Sequence, residues 1–162
     1  MNDEVKFMTI DAKGRMMVPK NSILGKSENI LIARENDITF SLHDLIVFNG
    51  YIEKLKIKRE KAFDSGNLEL FEYINDKINF LMFSKFGISN SDNQNRILIP
   101  PMVREMYELK DKVLLCNGEN HIKVFNGIEK YEEYEKKCLH NLSDDRHLPV
   151  CPECGGKDKP AL

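Results

Sequence analysis

The sequence predicts an α+β fold in which two copies of a small β unit flank an αα-hairpin. Two observations predict it: a segment that recurs at a constant offset of 81 residues, and apolar residues at helical spacing between its two copies. The chain has 162 residues, of which 41% are hydrophobic. That length suffices for one compact domain, or for two small lobes that share a core.

Charge and hydropathy restrict the class of protein. The 24 Lys and Arg residues are balanced by 26 Asp and Glu residues, a net charge of -2. This balance excludes a histone-like protein that wraps nucleic acid through bulk positive charge, but not a local basic patch. The acidic start of the chain lacks the basic flank of a signal peptide, and the longest uncharged apolar stretch is far too short to cross a bilayer. We therefore expect a cytoplasmic protein with no membrane partner.

The recurring segment is Ile10–Pro19, which reappears as Ser91–Pro100. Each copy predicts a strand, a tight turn and a second strand that ends at Pro, because Pro donates no ladder hydrogen bond. An Asp precedes each turn, where its carboxylate can accept hydrogen bonds from turn amides, and Gly or Asn within the turn tolerates a positive φ. An arginine, Arg15 or Arg96, follows at the loop tip. The residues expected to structure the loops are Asp11, Gly14, Asp92 and Asn95.

The same succession of elements is predicted after each loop. Pro at the first position of a helix costs little, so we expect short helices at Pro19–Leu24 and Pro101–Tyr107. Two strands follow each of these helices. They are predicted at residues 29–33 and 38–40 in the first unit, and at 112–116 and 122–124 in the second.

The segment between the units predicts two helices. Apolar residues keep helical spacing over Ile52–Phe63 and again over Leu68–Leu81, and Asn67 is a suitable N-cap for the second run. We expect an αα-hairpin of about three turns per arm. A charged helix is predicted at Ile128–Lys137, and the tail from His140 is not expected to join the core. The resulting division is 5–48 for the first unit, 49–84 for the hairpin, 85–127 for the second unit and 128–162 for the C-terminal helix and tail.

The duplicated Asp-x-x-Gly-Arg turn with its hydrophobic-Pro step resembles the MraZ family, within the AbrB/SpoVT swapped-hairpin superfamily. The resemblance covers roughly Phe7 to Tyr134, and the closest family-like run is Arg96–Glu105. The chain departs from the family pattern at Asn95, which replaces the second glycine, and in its cysteine-bearing tail. The matching residues are Asp11, Lys13, Gly14, Arg15, Pro19, Asp92, Gln94, Arg96, Pro100, Pro101, Arg104 and Glu105.

The resemblance implies a DNA-binding transcriptional regulator of bacteria that is associated with the nucleoid. It implies that the two AbrB-like units interleave their hairpins into a pseudo-dimeric barrel. It also implies that the chains assemble into a higher homo-oligomer such as a ring. Such a ring presents its Asp-x-x-x-Arg loops to direct repeats in double-stranded promoter DNA.

Local charge favours the first loop as the DNA contact. Over residues 5–26 five positive side chains stand against one Asp, whereas residues 92–112 carry four of each sign. Phosphate contacts require uncompensated positive charge, so we predict that Lys13 and Arg15 contact DNA, with Lys6 and Lys20 on flanking phosphates and Arg96 contributing less. Arg15 could read guanine O6 and N7 or simply hold a phosphate, and the sequence leaves both open.

Two less specific interpretations compete with this one. An Asp and an Arg that flank a tight turn can bridge each other and thereby staple the loop; for Asp11 and Asp92 we favour this structural role. The competing function is an oligomeric protein-interaction or scaffold module that keeps the repeats, has lost DNA binding and uses a zinc-stabilised tail to dock a partner. The balanced charge of the second loop favours it, and the basic first loop opposes it.

The tail carries a candidate structural zinc site. Cys151-Pro-Glu-Cys154-Gly resembles the knuckle of zinc ribbons and rubredoxins, where a tight turn directs two thiolates at one metal. Cys138 with His140 or His147 is the candidate second pair. Zinc would fold a segment that is too poor in apolar residues to order itself. The alternative is a tail with reduced thiols.

Catalytic signatures are absent from the sequence. The zinc-deaminase pattern requires His-x-Glu before Pro-Cys-x-x-Cys, which this chain lacks. It also has neither a Gly-rich phosphate loop nor a Gly-x-Ser-x-Gly elbow. His43 and His121 have no nucleophile partner in the sequence, so we interpret them as ordinary fold residues. We expect a protein that is not an enzyme.

Overall fold

A computed structural model describes residues 5–142 of the chain. The prediction of an α+β fold with four short strands in each repeat is confirmed. The elements are β1 (Val5–Thr9), β2 (Arg15–Met17), β3 (Asn29–Arg34), β4 (Thr39–Asp44), α1 (Leu45–Asp64), α2 (Leu68–Phe83), β5 (Lys85–Asn90), β6 (Arg96–Leu98), α3 (Pro101–Met106), β7 (Lys112–Asn117), β8 (His121–Phe125) and α4 (Ile128–Leu142).

The two repeats exchange strands with each other. A six-stranded antiparallel sheet has the order β1-β7-β8-β4-β3-β5, and β2 pairs with β6 in a separate two-stranded ribbon. The first repeat therefore donates β1 to the second, and the second donates β5 to the first. A closed barrel is not seen among residues 5–142, because β1 and β5 remain the edges of the large sheet. The ribbon strands are three residues long and end before Pro19 and Pro100, which leaves few ladder bonds for closure.

The ribbon packs its inward side chains into a core shared by both repeats. Met16 and Ile97 lie opposite each other in the β2–β6 register, and both are fully buried. Val18 and Ile99 extend this buried row, and the large sheet covers it with residues such as Phe40. Because one core is built from equivalent positions of both repeats, neither repeat can bury its apolar strand alone.

The helical hairpin is longer than the predicted three turns per arm. Helix α1 has 20 residues and α2 has 16. The Asp44 carboxylate accepts a hydrogen bond from the Val47 amide at 3.0 Å and starts α1 directly after β4. The Asn67 cap of α2 is confirmed by its 3.2 Å hydrogen bond from the Leu70 amide. The hairpin packs on the sheet through Leu31 of β3, in a second cluster with buried residues of both helices.

The segments after the two prolines differ from each other. The predicted second helix is confirmed as α3, but the helix predicted at Pro19–Leu24 is wrong. There the Ser22 hydroxyl and amide both donate to the Pro19 carbonyl, at 2.6 and 3.0 Å, and close a turn instead. Gly25 lies so close to the Lys20 carbonyl that any side chain would clash. Short polar side chains that bond the backbone compete with a helix in this way.

Helix α4 continues past its predicted end at Lys137 to Leu142. Its side chains Tyr131 and Tyr134 pack on Phe125, with ring centroids 5.5 and 5.3 Å apart. Ion pairs from Glu133 to residues three before and four after it stabilise the middle of the helix. Of the helices within residues 5–142, none is long and apolar enough to cross a membrane.

Candidate nucleic-acid interface

The first loop is fixed by the Asp11 carboxylate. Its Oδ1 accepts hydrogen bonds from the backbone amides of Lys13 and Arg15, both at 2.9 Å. Its Oδ2 accepts the Arg15 Nε at 2.8 Å. Gly14 adopts φ +83°, the left-handed conformation that lets the turn close. One carboxylate thus holds both the turn and the arginine that leaves it.

The second loop repeats this geometry residue for residue. Asp92 accepts the amides of Gln94 and Arg96 at 2.9 Å and the Arg96 Nε at 2.8 Å. Asn95 occupies the glycine position with φ +59°. The β2–β6 ribbon pairs Arg15 with Leu98 and Met17 with Arg96. The two loops are therefore related by an approximate twofold axis and flank one ribbon.

The hydrogen bonds keep both loop carboxylates charged. The hydrogen bond from the Arg15 amide is the largest cause that lowers the pKa of Asp11; burial opposes it, and the Arg15 side chain and the Lys13 amide lower the pKa further. The pKa of Asp92 is lowered in the same way by Arg96 and Gln94. Each carboxylate offsets the single positive charge of its arginine, so the other cationic side chains around each loop decide the local potential.

Both loop arginines remain open to solvent. Arg15 has 31% of its side-chain surface exposed and Arg96 has 27%. The ion pair uses Nε, whereas a guanidinium also carries four N–H donors on its two terminal amino groups. The ion pair thus holds each guanidinium in a position from which its terminal amino groups can contact a ligand.

The structure also brings together basic residues that are distant in sequence. Lys13 is exposed at the tip of the first loop, and Lys20 is exposed just after β2. Lys6, on β1, reaches the Asn21 side chain with Nζ 3.3 Å from Oδ1. This contact brings Lys6 beside the segment that carries Lys20.

Sequence reasoning missed the role of Arg104. This α3 side chain donates from Nε to the Ile99 carbonyl at 3.1 Å and lies on the backbone of Gly14. At the second loop the Asn95 amide group donates to the Val18 carbonyl at 2.7 Å. The offset between the repeats aligns Gly14 with Asn95 and Arg104 with Ile23. The two residues in contact at the first loop are therefore both replaced at the second, and this joint replacement is a sequence signal for the contact.

A second polar cluster lies on the large sheet. Lys123 Nζ lies 2.5 Å from Glu35 Oε2, and His121 Nε2 lies 3.2 Å from Glu35 Oε1. The His43 ring stacks on that of His121 at 5.0 Å, and its Nε2 lies 2.7 Å from Ser41 Oγ. Burial raises the pKa of Glu35, but the contact with His121 and the charge of Lys123 outweigh it and lower the pKa to about 2.

The predicted zinc ligands fall largely outside the described residues. Cys138 is half-buried on α4. Cys151, Cys154, His147 and the side chain of His140 lie outside the described part of the chain. Within residues 5–142 no group of three His, Cys, Asp or Glu side chains could hold a metal ion.

The repeats define the class of protein: two strand-exchanged β units, each with an Asp–Arg turn beside a shared ribbon. No protein-family model matches the chain. Among its relatives is the transcriptional regulator MraZ of Symbiobacterium thermophilum, 27% identical over 128 residues, which cover 79% of this chain and 85% of the relative. The MraZ regulators of Hydrogenovibrio crunogenus and Mycoplasmoides gallisepticum are each 24% identical, over 75% and 78% of this chain and 77% and 82% of their own lengths. The chain is thus similar to MraZ transcriptional regulators over 73–79% of its length.

Proposed function

We propose that this protein is a sequence-specific DNA-binding transcriptional regulator, not an enzyme. Its chains form a homo-oligomer that binds tandem repeats in promoter DNA through the Asp-x-x-x-Arg loops. The observation that carries the proposal is the duplicated loop. On each side of one ribbon lies an arginine that is held by an aspartate and is partly exposed. The names of the relatives as transcriptional regulators support it.

The first loop is the main DNA contact in this proposal. Asp11 holds the Nε edge of Arg15, so the terminal amino groups face the ligand. Lys13 at the tip, together with Lys6 and Lys20, adds charge that the carboxylate does not offset. Each phosphate contact releases counterions, so binding is expected to weaken steeply with salt. Phosphate contacts position the protein, and any base contact by Arg15 supplies the sequence preference.

Assembly with further copies of the same chain supplies the affinity. One chain offers few phosphate contacts, so several linked chains are needed to engage successive repeats. An apolar surface supports this part of the proposal. We call it the hairpin base: Ile46, Val47 and Phe83, which are exposed where α1 begins and α2 ends. A patch of this kind on a folded protein commonly marks an interface.

A gel mobility-shift titration on the DNA upstream of the protein's own gene tests the proposal. Arg15→Ala is expected to weaken binding by about tenfold or more, and Arg96→Ala by less, because the second loop has balanced charge. Arg59→Ala is the matched control: Arg59 also pairs with a carboxylate, that of Glu60, but lies on the hairpin. It should bind as the unaltered protein does.

The competing function, an oligomeric scaffold without DNA binding, makes the opposite prediction. It is favoured by the apolar hairpin base and by the balanced charge of the second loop. Equal binding by all of these proteins, with no dependence on salt, would contradict DNA recognition through the loops and support the scaffold.

The tail is proposed to bind a structural zinc ion through Cys151 and Cys154, with Cys138 and His140 as further ligands. The knuckle spacing supports the first pair. Positions 138 and 140 are two apart on α4, a spacing that puts them on different faces of a helix. A site that uses both therefore requires the last turn of α4 to unwind, and otherwise His147 takes the place of His140.

A further inference from the structure

The tip of the first loop is covered by a side chain from the other repeat. A Cβ atom added to Gly14 would lie 2.6 Å from Arg104 Cζ, 2.8 Å from Nε and 2.9 Å from a terminal nitrogen. The guanidinium of Arg104 therefore rests directly on the Gly14 backbone, which is buried. Any side chain at position 14 would displace it, quite apart from the strain of φ +83°.

At the second loop an asparagine, and not an arginine, donates the equivalent hydrogen bond. The Ile99 amide donates to the Gly14 carbonyl, and the Val18 amide donates to the Asn95 carbonyl, both at 2.9 Å. The carbonyls of Ile99 and Val18 each accept a hydrogen bond from a side chain. The Ile99 carbonyl accepts it from Arg104 Nε at 3.1 Å, and the Val18 carbonyl accepts it from Asn95 Nδ2 at 2.7 Å.

The two loops carry different charges because their hydrogen-bond donors differ. In the second loop the donor is a neutral amide, and Ile23, 46% exposed, stands at the position that corresponds to Arg104. In the first loop the donor is a cation. Its Nε serves Ile99, and its terminal amino groups remain against the loop between Lys13 and Arg15.

We propose that Arg104 is a residue of the first loop's anion-binding site, where it both positions the loop and contacts a phosphate. The site is then composite, with Lys13 and Arg15 from the first repeat and Arg104 from the second. Asn95 performs the positioning task alone in the second loop, so each chain has one strong and one weak contact. This inference rests on the proposed function, in which the first loop meets DNA.

The test places the residues of the second loop at the equivalent positions of the first loop. The double variant Gly14→Asn/Arg104→Ile replaces the cation by the amide, whereas Arg104→Ile alone leaves the Ile99 carbonyl without its donor. We expect Arg104→Ile to lower the melting temperature and the added Gly14→Asn to restore it. The double variant should still bind the upstream DNA about tenfold more weakly. Its plot of log binding constant against log salt should have a slope smaller by about 0.9 for each bound chain, as for one lost phosphate contact per chain.

Arg104→Lys separates charge from positioning. It keeps one positive charge, so the salt slope should stay that of the unaltered protein even where the melting temperature falls. Unaltered affinity and salt slope in the double variant would overturn the phosphate contact. No recovery of the melting temperature on adding Gly14→Asn would overturn the equivalence of Arg104 and Asn95. If the unaltered protein does not bind DNA, the proposed function itself fails, while the melting temperatures still test the equivalence.

Discussion

Burial decides the charge of a histidine in the large sheet. His43 lies between the Ser41 hydroxyl and the rings of His121 and Phe48, each 5.0 Å away. Burial lowers its pKa to about 4, aided by His121 and Lys123 and opposed by Glu35. His43 is therefore neutral at pH 7, and protonating it in the folded chain costs free energy.

This shift predicts a loss of stability in mild acid. An unfolded histidine gains its proton near pH 6.5, but folded His43 gains it only near pH 4. Because the unfolded state binds more protons between these values, the free energy of unfolding falls as the pH drops through them, by about 1–3 kcal/mol. Urea unfolding of the unaltered protein and of His43→Gln across pH 7 to 4 checks this, since the variant should lose that dependence.

Glu35 provides the control because it acts in a different pH window. Its pKa is lowered from 4.5 to about 2, so its contribution is complete above pH 4.5 and is lost as the pH falls toward 2. Glu35→Gln removes a charge that opposes the lowering of the His43 pKa, so the dependence between pH 6.5 and 4.5 should be kept and not lost. An unchanged dependence in His43→Gln would contradict the assignment to His43.

At the scale of elements, the sequence predicted the features that depend on residues close together in the chain. The strands around each loop follow from apolar runs ended by Pro, and Asn67 follows from capping preference. The false helix at Pro19–Leu24 had a suitable proline, but Ser22 bonds back to its carbonyl. Helix α1 begins at Leu45, earlier than the helical spacing indicates, because the Asp44 cap fixes its first residue.

The candidate site was only partly predictable for a related reason. The Asp11 and Arg15 geometry lies within five consecutive residues, so turn chemistry describes it. The contact of Arg104 with Gly14 joins different repeats, and it depends on β2 pairing with β6. No local pattern encodes that pairing. The charge count of each segment consequently assigned Arg104 to the second loop.

The C-terminal segment carries a prediction at this scale. If Cys151 and Cys154 form a zinc knuckle, the full chain purified without chelator should contain about one zinc ion per chain. Cys151→Ser should lose the metal, because a structural site needs all four ligands. Cys116→Ser is the control, since Cys116 lies on strand β7 and should keep the metal. Elemental analysis measures the content, and an unaltered protein without zinc would contradict the proposal.

At the scale of the molecule, duplication explains both the fold and its unequal loops. The crossed pairings β1–β7, β3–β5 and β2–β6 make each repeat complete the other. An approximate twofold axis through the ribbon would make two identical loops. Asn95 and Ile23 on one side, and Gly14 and Arg104 on the other, break that symmetry without changing the backbone hydrogen bonds. In the proposed function, this asymmetry would give every chain one preferred DNA-binding loop.

The hairpin base predicts how chains meet. Helices α1 and α2 are antiparallel, and their connection lies at the far tip, so Ile46, Val47 and Phe83 share the end next to the sheet. The Lys85 ammonium, 5.5 Å from the Phe48 ring, confirms this proximity. Phe83 is 87% exposed, and covering this side chain in an interface would remove a large apolar area from water.

A charge at the hairpin base should therefore reduce assembly. Phe83→Glu is expected to shift the oligomer toward smaller species in sedimentation velocity, because burying an unpaired carboxylate is costly. Its affinity for repeated sites should fall with the assembly, while binding to a single site changes little. Phe63→Glu is the matched control, since Phe63 is also exposed but lies at the far tip of the hairpin. Equal sedimentation of both variants and the unaltered protein would exclude the hairpin base as the surface through which the chains assemble.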